Sequence, residues 1–151
     1  YIYKMRPFFT TIYVSFLLFT SLLSAQDWQT DFLVAQQIAA ENNKAIVLVF
    51  QGSDWCAPCI KLDREIWSTD TFKNYAKQHY IMFQADFPRR KKNQLSEAQT
   101  KANAKLAEKY NSKGYFPLVV VLDKEGNVLG ESSYNKMSPK DYIKQLNTFL
   151  N

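Results

Sequence analysis

The chain has 151 residues, of which 46% are hydrophobic and 22% are charged. This length and composition predict one globular domain with a short appendage. The formal net charge is +5, but Lys4 and Arg6 lie before Gln26 in a stretch that contains no acid. The rest of the chain is therefore only weakly basic and mixed in sign, which argues against nucleic-acid binding.

The N-terminus has the three parts of a secretory signal. Lys4 and Arg6 precede an uncharged, largely apolar stretch, and the small residues Ser24 and Ala25 follow it. Residues 1–25 are therefore predicted to be a signal peptide. The alternative is an uncleaved membrane anchor formed by residues 7–26, which the hydroxyl side chains in the apolar stretch disfavour.

Residues 26–151 are predicted to form the folded domain, in which helical and extended patterns alternate. In the first half, the patterns predict a helix from Thr30 or Asp31 to residue 42, a strand over 45–50, a helix over 56–67 and a second helix that is recapped at Ser68-Thr69-Asp70 and ends near 78. A strand over 80–85 and a polar basic loop over 86–94 follow. The second half is predicted to contain a helix over 96–110, strands over 118–122 and 128–131, and a last helix from Ser138-Pro139. This order predicts an α/β fold in which helices cover a central mixed β-sheet.

Two helix starts carry specific end signals. Ser96 and Gln99 have the spacing of a capping box, in which each side chain bonds the other residue's main chain. Pro139 follows Ser138 at a first helical position, where no main-chain donor is lost.

The sequence Trp55-Cys56-Ala57-Pro58-Cys59 follows a buried strand and opens a helix. Residues three apart share one face of a helical turn, so the two sulfurs can close a small ring. The unpaired N–H groups of the first turn favour the thiolate of Cys56. We therefore expect Cys56 to be a nucleophile and Cys59, one turn deeper, to be the resolving thiol. Pro58 is compatible with the first turn.

These residues resemble the thioredoxins over about residues 27–150. Besides the cysteine motif, Tyr115-Phe116-Pro117 before a strand is similar to the thioredoxin segment in which the proline follows a cis peptide bond and faces the cysteines. The resemblance implies a thioredoxin fold and a cis bond between Phe116 and Pro117. It also implies that the main chain there pairs with an extended substrate segment. We expect Trp55 to offer an apolar surface to substrates and Phe116 to line the same groove; the alternative for both is packing in the core.

The lead-in Gly52-Ser53-Asp54-Trp55-Cys56 is similar to the periplasmic domain of the transmembrane thiol–disulfide interchange protein. The resemblance therefore implies an exported, periplasmic oxidoreductase that reduces disulfides of proteins or peptides, needs no cofactor, and receives electrons from a membrane donor. Ala57-Pro58 resembles the Gly-Pro of thioredoxins, which favours reduction. Disulfide oxidation or isomerisation remains the alternative.

Two features depart from the thioredoxin pattern. Phe50 occupies the place, six residues before the first cysteine, where thioredoxins keep a buried aspartate. Asp63, one turn after Cys59, is a candidate substitute for that base; a plain surface acid is the equal alternative. The connection over residues 86–104 is also longer and more basic than in a minimal thioredoxin. It is either a solvated loop or a docking site for a partner.

Other roles for the cysteine pair are weaker. Zinc requires four ligands, and the chain offers only two cysteines and His79. Copper handling by these three residues, or a non-catalytic binding module, stays open, although His79 is expected to be an exposed residue at a helix end. A purely structural bridge would close so small a loop that it constrains the unfolded chain little. No metal site is predicted.

Overall fold

A computed structural model describes residues 26–151 of the chain. The predicted signal peptide or anchor lies outside these residues. Within them, no helix is both long and apolar enough to cross a membrane.

The domain contains five strands and five α-helices in the part of the chain that the structure describes. They are β1 (Trp28–Gln29), α1 (Phe32–Asn42), β2 (Ala45–Gln51), α2 (Ala57–Leu62), α3 (Asp70–His79), β3 (Tyr80–Asp86), α4 (Glu97–Tyr110), β4 (Leu118–Leu122), β5 (Val128–Ser132) and α5 (Pro139–Asn147). A π-helical turn, Asp63–Trp67, continues α2, and a 3-10 turn, Lys91–Asn93, lies between β3 and α4.

The five strands form one mixed sheet in the order β1-β3-β2-β4-β5. Strands β1, β3 and β2 are parallel, with Ala45 opposite Tyr80, whereas β4 runs antiparallel to β2, with Phe50 opposite Leu118. β5 is antiparallel to β4. The predicted α/β class with a mixed sheet is therefore confirmed. The register brings the end of β2 beside the start of β4. The cysteine motif directly follows β2.

The sheet separates two hydrophobic cores, because successive side chains of a strand point to opposite faces. On one face, Val47, Val49, Val119 and Val121 pack against α2, α3 and α5. On the other face, the alternate residues of the same strands pack against α1 and α4. The strands β2 and β4 are thus buried on both sides, as their continuous apolar sequences indicate. Trp67 and Phe72 lie in the first core.

Two details differ from the sequence predictions. β1 was not predicted, since two residues carry no recognisable strand pattern and are held only by pairing with β3. The capping box at α4 is only half formed. Ser96 Oγ accepts the N–H of Gln99, but the Gln99 amide bonds Thr30 and Asn103 instead of returning to Ser96.

Candidate functional site

The cysteine motif begins with a tight turn after β2. The main-chain N–H groups of Trp55 and Cys56 both donate to the carbonyl of Gly52, at 3.2 and 2.9 Å. A Cβ atom at Gly52 would lie 2.2 Å from Cε2 of the Trp55 indole. Only glycine therefore allows the indole to lie flat on the main chain that leads into the cysteines.

Cys56 and Cys59 form a disulfide with an S–S distance of 2.04 Å. Cys56 is the N-cap of α2, and its Sγ accepts the N–H of Cys59 at 3.3 Å. The two residues are 4% and 2% exposed, whereas Ala57 and Pro58 between them are exposed. A helix-start N–H directed at Sγ is the contact that stabilises a thiolate at this atom after reduction.

The Phe116–Pro117 peptide bond is cis, as expected. Pro117 immediately precedes Leu118, which pairs with Phe50 of β2, so this segment adjoins the strand that leads into the cysteine motif. The Phe116 ring lies 5.4 Å from the Trp55 ring. The carbonyl of Pro117 accepts a 2.7 Å hydrogen bond from Ser133 Oγ.

The main chain just before Pro117 is held from one side only. The Asn111 amide accepts the N–H of Tyr115 and donates to the carbonyl of Tyr115, at 2.9 and 2.8 Å. Within residues 26–151, the N–H and carbonyl of Phe116 have no hydrogen-bond partner. The segment is thus fixed in place while its next pair of main-chain groups remains available.

Trp55 joins the motif to the loop that follows β3. Its Nε1–H donates to the carbonyl of Phe87 at 2.7 Å. The guanidinium carbon of Arg89 lies 3.7 Å from the centroid of the indole, a distance that gives a cation–π interaction. The Phe87 ring lies 5.5 Å from that of Phe116 and stacks on Phe50. The indole is therefore covered by the loop on one face and packed against Gly52.

The carboxylate of Asp54 fastens the same loop through the main chain. It accepts the N–H groups of Arg89 and Arg90 and the side-chain amide of Asn93, each at 2.9 Å. The Arg89 N–H is the main cause that holds the pKa of Asp54 below its ordinary value, because it stabilises the ionised form.

A second carboxylate makes the reciprocal connection. Asp86, the last residue of β3, accepts the N–H of Ser53 at 2.9 Å and its hydroxyl at 2.6 Å. The buried Asn103 of α4 donates to the carbonyl of Asp86 at 2.9 Å. The lead-in Ser53-Asp54-Trp55 thus contacts the end of β3 and the loop after it with all three side chains.

Residues 27–124 match the Thioredoxin-like protein family. The chain is also 32% identical, over 123 residues, to the disulfide bond reductase DsbH of Chlamydia pneumoniae; this match covers 82% of the chain and 72% of that protein. The chain belongs to the thioredoxin-like family.

Solved structures of this family agree in fold. A DsbH oxidoreductase structure is 30% identical, with a TM-score of 0.77 and coverage of 84% of this chain and 85% of that one. The oxidised C-terminal domain of DsbD from Neisseria meningitidis is 16% identical, with a TM-score of 0.54 over 78% of this chain and 90% of that one. This second likeness concerns the fold alone. With its Cys56–Cys59 disulfide, this thioredoxin-like protein is a thiol–disulfide oxidoreductase.

The structure separates the other candidates predicted from the sequence. The Phe116 ring packs against Trp55 of the cysteine motif, and Pro117 follows Phe116 through the cis bond. Asp63 is exposed, and its carboxylate accepts the Ser68 hydroxyl at 3.3 Å. Phe50 is fully buried, so an apolar ring fills the position where other thioredoxins have an aspartate.

His79, the other residue considered for copper, ends α3, where it is exposed and stacks on Tyr75 at 4.0 Å. Among residues 26–151, no group of three or more His, Cys, Asp or Glu residues is arranged to hold a metal ion.

Sequence reasoning missed the roles of Asp54, Asp86 and Arg89. Asp54 was noted only as part of the thioredoxin-like lead-in, and Arg89 only as part of a basic loop. The adjacent acid and alcohol in Ser53-Asp54 were an available signal, because such residues commonly bond the main chain of a nearby loop. Which loop they bond is a tertiary property and has no local signature.

Proposed function

We propose that this thioredoxin-like protein reduces disulfide bonds in exported proteins. The observation that carries the proposal is the Cys56–Cys59 disulfide at the start of α2, next to Trp55, against which the cis Phe116–Pro117 segment packs through its Phe116 ring. The relative from Chlamydia pneumoniae is named a disulfide bond reductase, which supports this direction.

In the proposed cycle, the Cys56 thiolate attacks one sulfur of a substrate disulfide. A mixed disulfide forms, and the other substrate sulfur leaves as a thiolate that takes up a proton. The Cys59 thiolate then attacks Cys56 Sγ, so that the Cys56–Cys59 bond forms and the second substrate thiol is released. Two electrons pass from the cysteine pair to the substrate.

The main chain of Phe116 is the proposed anchor for an extended substrate. Its N–H and carbonyl have no partner within the described residues, and strand-like pairing would satisfy both. Trp55 and Phe116 provide an aromatic surface beside this main chain. Ala57 and Pro58 are exposed at the start of α2, whereas Cys56 is 4% exposed, so a substrate reaches the sulfur over these two small residues.

Asp63 is proposed to assist the resolving step by accepting the proton of Cys59 through water. Its position one turn beyond Cys59, on an exposed surface, supports access to solvent. The buried Phe50 ring offers no proton acceptor for this step.

Export and recharging complete the proposal. Residues 1–25 have the pattern of a signal peptide. In the periplasm, the Cys56–Cys59 disulfide would have to be reduced again after each cycle, by a membrane protein of the thiol–disulfide interchange type. The Chlamydia pneumoniae relative and the DsbD domain are both named as Dsb proteins, which is consistent with such a setting.

The test is the equilibrium reduction potential of the Cys56–Cys59 pair against glutathione. We expect a value of about −270 mV, the level of reducing thioredoxins. A value of about −120 mV would instead make the protein an oxidant of exported thiols. Absence of a reversible two-electron couple would contradict both directions. Insulin reduction with dithiothreitol as electron source then separates a catalyst from a binding module.

A further inference from the structure

Four consecutive basic residues, Arg89, Arg90, Lys91 and Lys92, follow Phe87-Pro88 and form what we call the cationic loop. All four are exposed. Within residues 26–151, none of them forms an ion pair. Such a run of like charges produces a positive local potential that attracts anionic partners.

The nearby acids offset this positive charge only in part, because the carboxylates of Asp54 and Asp86 are two charges against the four of the loop. The Asp54 carboxylate accepts main-chain and amide donors of the loop, and Asp86 accepts Ser53. Glu97, at the start of α4, pairs with Lys101 at 2.6 Å. The cationic side chains therefore face solvent as a net positive surface.

The loop is also fastened to the reactive site. Asp54 lies two residues before Cys56 and holds the main chain of Arg89 and Arg90, while Arg89 stacks on Trp55. Backbone bonds from Asn93 to Arg90 and from Gln94 to Lys91 close the turn. The charges are thus presented at a fixed place beside the dithiol, which a freely moving solvated loop would not achieve.

We propose that the cationic loop binds an acidic segment of the protein substrate that flanks its disulfide cysteine. This inference rests on the proposed function and specifies its substrate class. A chain that reaches Cys56 past Trp55 comes next to Arg89, so acidic residues a few positions from its cysteine meet the loop. Charge complementarity of this kind raises the association rate and selects among substrates.

A polypeptide fits this surface better than an anionic membrane does. The Arg89 guanidinium stacks on Trp55, the residue before Cys56, so a lipid surface resting on the loop would cover the reactive disulfide. A peptide segment can occupy the loop and the dithiol together.

The test uses three synthetic disulfide peptides that differ only in three residues beside one cysteine: glutamate, glutamine or lysine. Their kcat/KM values report reduction, and the Kd values of matching serine-for-cysteine peptides report binding without chemistry. At low salt we expect the glutamate peptide to have a kcat/KM about fivefold higher and a Kd about fivefold lower than the glutamine peptide. The lysine peptide should be reduced more slowly and bound more weakly than the glutamine peptide. The ratios between the peptides should approach one at about 0.5 M salt, because salt screens the charges.

The matched variants carry the same change in charge at two places. The triple variant Arg90→Gln, Lys91→Gln, Lys92→Gln leaves the Arg89 stack intact and should remove most of the preference for glutamate. The control Lys77→Gln, Lys105→Gln, Lys140→Gln changes three exposed lysines on α3, α4 and α5 and should retain that preference.

The outcomes separate this inference from the proposed function. Reduction of all three peptides at equal rates, or a preference that survives the triple loop variant, overturns the inference alone. Charge-selective binding without reduction of any peptide supports the inference that the loop binds acidic segments and overturns the proposal that the protein is a reductase. Binding to vesicles of equal phosphatidylglycerol and phosphatidylcholine that the loop variant abolishes, with no peptide preference, assigns the loop to a membrane and overturns the inference.

Discussion

Asp54 Oδ1 accepts a hydrogen bond of 2.9 Å from the main-chain N–H of Arg89, a residue 35 positions away in the chain. This bond is the main cause of the lowered pKa of Asp54. Because the folded pKa lies below the ordinary value of 3.8, the stabilisation is present above about pH 4 and is lost as the pH falls through the lower folded value. The loop is therefore expected to loosen in acid before the cores do.

Asp54→Asn should loosen the loop at neutral pH. An asparagine at this position directs its NH₂ group at another donor, so at least one of the three bonds is lost. Amide hydrogen exchange at Arg89 and Arg90 should accelerate about tenfold. Glu108→Gln, an exposed change on α4, is the control and should leave both amides as they are. Unchanged exchange in Asp54→Asn would show that the carboxylate does not hold the loop.

Gly52→Ala should displace the Trp55 indole, since the new Cβ would lie 2.2 Å from Cε2. We expect a loss of about 1–3 kcal/mol in the free energy of unfolding, the usual cost of overpacking, together with weaker disulfide exchange. Urea unfolding measures the first effect. A double-mutant cycle with Trp55→Ala tests the cause: the alanine at 52 should cost little once the indole is gone. Additive losses would point to a different origin.

The two cysteines should give opposite results when each is replaced by serine. Cys56→Ser should abolish disulfide exchange, because the nucleophile is lost. Cys59→Ser should accumulate mixed disulfides with substrate proteins, visible on a non-reducing gel. The double variant is the control and should trap nothing. Turnover by Cys56→Ser, or an empty gel for Cys59→Ser, would reverse or refute the assigned roles.

Tyr142 makes a prediction for alkaline pH. Burial raises its pKa to about 12, since the ionised phenol would lose its hydration. The folded pKa exceeds the unfolded value of about 10, so stability is complete below pH 10 and is lost as the pH rises towards 12. Burial raises the pKa of Tyr80 as well. The wild-type protein should therefore lose stability in this range.

The variant that tests this prediction is Tyr142→Phe. It also removes the 3.0 Å bond to the carbonyl of Ser133, so it should cost about 1 kcal/mol at neutral pH. Between about pH 10 and pH 12, the free energy of unfolding of this variant should fall less steeply than that of the wild type. Tyr115→Phe, which removes the hydroxyl of a 59% exposed residue, should follow the wild-type curve. Identical alkaline slopes in all three proteins would exclude Tyr142 as a source.

Asp63→Asn tests the proposed proton acceptor. The release of substrate from a preformed mixed disulfide should slow about tenfold, and the pH dependence of that single step should change. Asp70→Asn, another exposed acid one element further on, is the control and should release substrate at the wild-type rate. A normal release rate in Asp63→Asn would leave Asp63 as an ordinary surface acid.

The dithiol, the buried strands and the cis bond before Pro117 were all predictable, because each is encoded by a local pattern or by a motif of the thioredoxin family. The apolar runs at residues 45–50 and 118–122 allow little other than buried strands. The two residues of β1 could not be found in this way. They become a strand only through the partner that the fold brings to them.

The fastening of the loop was not predictable for a related reason. The chain has 14 acidic and 19 basic residues, and nothing local says that Asp54 meets the main chain at Arg89. Gln99 shows the converse failure. Its spacing from Ser96 suggested a capping box, but the neighbouring Thr30 carbonyl and Asn103 amide compete for the same side chain and bind it.

The Cys56–Cys59 bond joins residues only three positions apart. Closing so short a loop restricts the unfolded chain by about 2 kcal/mol at most, less than half of what a bridge across the whole domain would give. The fold therefore depends on the two cores and hardly on this covalent link. The protein can therefore form and break this bond with every electron pair that it transfers and stay folded in both redox states.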